Sequence, residues 1–164
     1  MMSAKDIVLM AHLRSNSRET LTKMSRSTRI PISTLYDKLK QHEKGLIQKH
    51  TCLVDFTKLG FNTKVNILIK VERELREEVK NFLVKDFNVN SVYKINSGYD
   101  FMVEGIFKHI KDMEDFLERL DEKFKLKEKQ VYYVIEDIKR EGFMADPQTV
   151  SLLLQEPSRG QEVR

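Results

Sequence analysis

Apolar residues recur along this chain in two rhythms, and the change falls near residue 60. Before it they step by three and four, as on the buried side of a helix. Leu9, Met10 and Leu13 form one such stripe, Leu21 and Met24 a second, and Leu35 and Leu39 a third. After it, Val65, Ile67, Ile69 and Val71 alternate with polar residues such as Lys64, Asn66, Lys70 and Glu72, a strand with one buried face. Leu75, Val79, Phe82 and Leu83 then predict a helix, Val89 to Ile95 a strand, and Ser97-Gly98 a turn. Phe101, Val103 and Gly105 lie on a third strand, and Ile110, Met113, Leu117, Leu120 and Phe124 on a second amphipathic helix. Val131 to Ile138 predicts a last strand, apolar on both faces.

Punctuation residues set the boundaries in the first rhythm. Ser3 caps a helix with Asp6 in its first turn, and Asn16-Ser17 ends it. Thr20 caps a short second helix, because Ser25, Ser27 and Thr28 are poor helix-interior residues. Pro31 suits the first turn of a third helix and pushes Ile30 toward an extended conformation, which separates the two helices. The third helix is expected from about Ile32 to Glu43, stopped by Gly45 as a left-handed cap. Leu46 to Leu59 is expected as a short strand or wing, and Asp55 to Thr63 as a hinge with Gly60 and Asn62 as breakers.

The fold class that follows is α+β: a winged helix-turn-helix, then a βαββαβ domain of ferredoxin-like pattern. Expected bounds are 1–54 for the head, 55–63 for the hinge, 64–142 for the second domain and 143–164 for a tail. In the tail, Val150 to Leu154 predicts a short helix and the end is expected to fray. A four-stranded sheet with both helices on one face leaves the other face open. Tyr132, Val134 and Leu68 on that face call for a partner, most simply a second copy.

Charge sharpens the reading of the head. Residues 1–50 carry six Lys and four Arg against four acids, a net +6, and the remaining 114 residues carry −2. A basic head on a near-neutral body suits a polyanion. A helix-turn-helix lays its second helix in the major groove of DNA. On the expected third helix, Ser33, Thr34, Tyr36, Asp37 and Gln41 are candidates to read base edges, and Arg18, Arg26, Arg29, Lys38, Lys40, Lys44 and Lys49 to contact phosphates. The competing reading of the same three helices is a unit that packs only against a partner protein.

Other chemistry has little support. Four histidines (12, 42, 50 and 109) show no metal-ligand spacing, and the single Cys52 excludes an intrachain disulfide. No metal or cofactor is expected. There is no Gly-rich phosphate loop and no paired nucleophile and base, so the chain is not expected to be an enzyme. No apolar run approaches the ~20 residues of a membrane span, and no signal-peptide core opens the chain. No membrane partner is expected, and the cytoplasm is the expected compartment.

The residues also resemble a known family. Asp6-x-x-Leu9-Met10-x-x-Leu13-x-x-Asn16-Ser17-Arg18 is similar to the first-helix signature of the Lrp/AsnC (feast/famine) transcription regulators. Gly45-Leu46-Ile47-Gln48, then Thr51, Asp55 and Leu59-Gly60, resembles their strand and hinge, and the likeness covers roughly residues 5–142. It implies a regulator binding double-stranded DNA, a ligand-binding type of second domain, and a homodimer through the C-terminal sheet, with tetramers or octamers open. It also implies an amino-acid or other small effector near Ser97, Gly98, Tyr99 and Asp100.

Three positions depart from the family pattern. Arg29 stands where the turn usually has glycine, His42 replaces a usual leucine at the end of a shortened third helix, and Ser97 takes the place of the effector loop's glycine. The last departure leaves an altered effector, or none, open, and the competing reading of Gly98 and Asp100 is a plain hairpin turn. Two alternatives to a regulator remain. One is an enzyme like the family's sirohaem decarboxylases, for which the second half supplies only His109, Arg119 and Arg140. The other is a small-molecule-binding assembly module with a vestigial DNA head.

Overall fold

The computed structural model describes residues 2–155. They form two compact units: the chain up to Leu53 joined by the chain from Ile138 onward, and Val54–Asp137.

The first unit holds α1 (Ala4–Ser15), α2 (Leu21–Thr28) and α3 (Ile32–His42). Helix α1 starts at a capping box: the Ser3 hydroxyl accepts from the Asp6 N–H, and the Asp6 carboxylate accepts from the Ser3 N–H at 2.7 Å. Leu9, Met24, Ile30 and Leu35 close the core, with Val8, Met10, Leu13, Leu21 and Leu39 packed around them. Each fully buried side chain of this kind contributes about 1.5–3 kcal/mol.

Helix α3 ends one residue earlier than the sequence suggested, and Gly45 does not take the left-handed conformation expected of a cap. The helix is closed instead by a tight turn, in which the N–H groups of Gly45 and Ile47 both bond to the His42 carbonyl, at 3.2 and 2.9 Å. The expected strand or wing after it is absent. Residues 47–55 have no regular structure, and no strand among the described residues pairs with them. The hinge is more ordered than expected: Phe56–Leu59 is a 3-10 turn, closed by Gly60 in the left-handed region at φ 86°.

The short C-terminal helix belongs to this unit too. It runs as α6 (Pro147–Gln155), buries Val150 and packs on α1. Arg14 fixes the chain leading to it, donating to the Phe143 carbonyl at 2.6 Å and pairing with Glu141 at 3.0 Å. The expected frayed end falls on residues 156–164, which lie outside the described residues.

The second unit comprises β1 (Thr63–Lys70), α4 (Arg76–Lys85), β2 (Val89–Lys94), β3 (Phe101–Phe107), α5 (Ile110–Phe124) and β4 (Glu128–Tyr133). The strands form one antiparallel sheet in the order β2-β3-β1-β4. Val65, Ile67, Ile69 and Val103 meet Val79, Leu83, Phe116, Leu117 and Leu120 in one apolar layer. Gly105 is required there, because a Cβ would come within 2.5 Å of the Phe107 ring. Strand β4 lies earlier than the expected Val131–Ile138. Lys70 of β1 already pairs with Glu128 and Val65 with Tyr133, and the Val134 N–H bonds to the Lys64 carbonyl at 2.9 Å, near the start of β1. The other sheet face carries Leu68 and Met102, half-buried, and Tyr93 and Tyr132, each about half exposed.

Candidate nucleic-acid interface

The turn before α3 is built by hydroxyls and by one strained residue. The Ser27 and Thr28 hydroxyls donate back to the Met24 carbonyl at 3.0 and 2.7 Å, which ends α2. Arg29 follows in the left-handed region at φ 58°, the backbone angle that its place in the turn demands. Ile30 then drops into the core, and extended Pro31 starts α3 with no side-chain cap.

Helix α3 sorts its residues cleanly. Leu35 is buried, and Thr34, Lys38, Leu39 and His42 are half-buried on the same side. The exposed side carries two rows. Ile32, Tyr36 and Lys40 succeed one another at i, i+4 and i+8; Ser33, Asp37 and Gln41 run beside them with the same spacing. Of the base-reading candidates, Ser33, Tyr36, Asp37 and Gln41 are therefore on the free face, whereas Thr34 lies at its edge, half-buried. Ile32, expected only as the first residue of this helix, is a further exposed member of that face.

Lys38 is turned away from the phosphate-contacting set. Its ammonium lies 2.6 Å from Asp6 Oδ1 and 3.2 Å from Ser3 Oγ, and His42 Nε2 lies 2.8 Å from the same carboxylate oxygen. Burial alone would raise the Asp6 pKa, but hydrogen bonds from Lys38, Ser3 and His42 outweigh it and hold this carboxyl well below the usual range. The cluster ties the start of α1 to the inner flank of α3. A helical wheel carries the signal: Lys38 stands three residues after Leu35 and four before His42, on the core side. Lys40 stays exposed, pairs with Glu43 at 3.1 Å and lies 5.9 Å from the Tyr36 ring. Among the described residues, the side chains of Arg18, Arg26, Arg29, Lys44 and Lys49 are exposed and form no ion pair. A second pair, His12 Nδ1 to Glu19 at 2.9 Å, holds the end of α1 against the start of α2.

The β2–β3 connection holds the effector-loop candidates. Ser97 and Gly98 both have positive φ, 66° and 97°, so Ser97 adopts an angle that glycine takes without strain. The Asp100 carboxylate accepts from the Val71 N–H at 2.9 Å and pairs with Arg76 at 2.7 Å. The Tyr99 hydroxyl donates to Glu128 at 2.5 Å, which pushes its pKa up to about 12. Asp100 is thus engaged in joining the end of β1 to the start of α4. His109 caps α5, and Arg119 lies 3.6 Å from Asp86. No group of His, Cys, Asp and Glu side chains among the described residues could hold a metal ion.

No family model matches the chain. It is 32% identical over 107 residues to the HTH-type transcriptional regulator FL11 of Pyrococcus furiosus, covering 65% of this chain and 71% of that protein. It is 24% identical over 147 residues to an uncharacterised HTH-type transcriptional regulator of Pyrococcus horikoshii, covering 89% of this chain and 99% of the relative. Among solved structures, a transcriptional regulator of Neisseria meningitidis in complex with L-Met superposes at a TM-score of 0.78 with 18% identity, over 85% of this chain and 94% of that one. The AsnC protein of Escherichia coli superposes at 0.75 with 13% identity, over 85% of this chain and 96% of its own. At those identities the superpositions speak for the fold.

Proposed function

The chain belongs to the Lrp/AsnC family of transcription regulators, and on that premise we propose that it is a sequence-specific DNA-binding regulator that reads the major groove with α3. The observation that carries this reading is the exposed face of α3. It presents Ile32, Ser33, Tyr36, Asp37 and Gln41 free of the core, with the unpaired cations Arg18, Arg26, Arg29, Lys44 and Lys49 in the same unit. Polar side chains there can pair with base edges while the cations neutralise phosphates and fix the register.

The regulator works as a dimer or higher oligomer. The open face of the sheet, with Leu68, Tyr93, Met102 and Tyr132, is the surface a second copy would cover. Two heads would then meet half-sites one helical turn apart, or a multiple of it. A small effector, an amino acid among the candidates, would act through the Ser97–Asp100 loop.

Selection of bound duplexes from a random pool, with and without a panel of amino acids, tests the whole reading. The expected result is enrichment of pseudo-palindromic sites. A pool that stays random after selection would remove α3 as a DNA reader. An assembly module with a vestigial head would give that outcome together with an intact oligomer.

A further inference from the structure

We propose that Ile32, flanked by Tyr36, reads the 5-methyl group of a thymine at a fixed position in each half-site; the inference rests on α3 being the DNA-reading helix. Ile32 is 47% exposed and Tyr36 51%. They stand one helical turn apart on the side of α3 that faces no core.

Neither the fold nor the helix accounts for an isoleucine at this position. The core of the head is closed by Leu9, Met24, Ile30 and Leu35, with Leu39 against it, and does not include Ile32. A β-branched residue brings α3 no gain in helix propensity. Pro31 precedes it with no side-chain cap, so no capping side chain covers the helix start. Nearly half of the Ile32 surface therefore meets solvent at the end of the helix that enters the groove first.

The chemistry of the groove selects the ligand. Among the groups on the major-groove edges of the bases, the thymine 5-methyl is the apolar one. The row Ser33, Asp37 and Gln41 carries donors and acceptors for base edges; the adjacent row begins with Ile32 and Tyr36, which present carbon. The two rows thus divide the work between polar edges and a methyl. An apolar pocket on a partner protein is the other surface that such a pair would fit. The unpaired Arg26, Arg29 and Lys44 in this unit favour a polyanion instead.

The test uses the full chain and a duplex enriched from the random pool. Each thymine is replaced in turn by deoxyuridine, which removes only the methyl. Wild type should lose about four-fold in affinity at one thymine per half-site, the size expected for one buried methyl group. Ile32→Ala should bind the all-thymine duplex more weakly and show no discrimination at that thymine. Its melting temperature should match wild type, because the side chain lies outside the core. Tight binding with no methyl-sensitive position overturns the proposal while leaving α3 as the DNA reader, as does equal methyl sensitivity in wild type and Ile32→Ala. An unenriched pool overturns both readings together.

Discussion

Lys38 Nζ lies 2.6 Å from Asp6 Oδ1, joining the reading helix to the first turn of the chain's first helix. Both side chains are largely shielded, at 21% and 9% exposure. Removing one partner of a shielded pair leaves an uncompensated charge, at a cost of about 3 kcal/mol. Lys38→Met should therefore destabilise the head by that order in urea unfolding. Asp6→Asn with Lys38→Met should recover much of the loss, because neither charge is then stranded. Lys40→Met, at an exposed surface pair, should leave the unfolding midpoint unchanged. If Lys38→Met and Lys40→Met unfold alike, the cluster does not fix α3.

The same carboxylate gives the head an acid limit. Asp6 is held below the ordinary carboxylate value by hydrogen bonds from Lys38, Ser3 and His42, which outweigh its burial. A depressed pKa stabilises the fold fully above the unfolded value of 3.8 and loses that contribution as pH falls through the folded value. The stability gap between wild type and Asp6→Asn should close as pH falls below about 4. A gap that widens in acid would reverse the assigned sign.

Arg29 sits in a conformation that costs a non-glycine residue about 1 kcal/mol. Arg29→Gly should raise stability by about 0.5–1 kcal/mol, since glycine accepts φ 58° without a Cβ clash. The same change deletes a candidate phosphate contact. Thermal melting should rise while DNA affinity measured by fluorescence anisotropy falls. A fall in both would mean that the guanidinium supports the turn itself.

Much of this is legible in the amino-acid sequence. Hydrophobic period alone separates the helical head from the βαββαβ unit, and the resemblance, with glycine usual at the place of Arg29, implies its backbone angle. The misses share a physical cause: each depends on what a residue meets across space. Lys38 reads as an exposed cation until Asp6 and His42 are placed against it. Leu46 to Leu59 reads as a strand or wing, yet a strand needs a neighbour and none of the four strands of the sheet pairs with it. Strand β4 is placed by pairing with β1, which polar Glu128 and Lys129 join in spite of their composition. The sequence uses Ile32 only as the start of the third helix, and its exposure of 47% becomes visible only in the fold.

The open sheet face yields a separate test. Tyr93 and Tyr132 are each about half exposed, with Leu68 and Met102 between their strands. Burying two tyrosines against a second copy is compatible with their apolar rings, and two carboxylates there would repel. Tyr93→Glu with Tyr132→Glu should sediment as a monomer while keeping the far-UV circular dichroism of wild type. Its DNA affinity should fall, because the two half-sites would be bound independently. An unchanged sedimentation coefficient would move the dimer contact elsewhere.

Salt separates true phosphate contacts from cations that decorate the surface. Each neutralised phosphate releases condensed counterions, so log affinity falls with log salt at a slope near −0.9 per contact. Among the candidate phosphate contacts, Arg18, Arg26, Arg29, Lys44 and Lys49 form no ion pair among the described residues, whereas Lys38 and Lys40 have carboxylate partners. If two heads bind together with roughly 6–10 phosphates neutralised, affinity should drop about 10³–10⁵-fold between roughly 50 and 200 mM salt. Lys44→Ala should make the slope shallower by about two, one contact for each head. Lys40→Ala should change it less, because that ammonium is already 3.1 Å from Glu43 and must leave it to reach DNA. Equal slopes for wild type and Lys44→Ala would take the turn after α3 off the backbone, and a flat profile for wild type would count against an electrostatic footprint on DNA altogether.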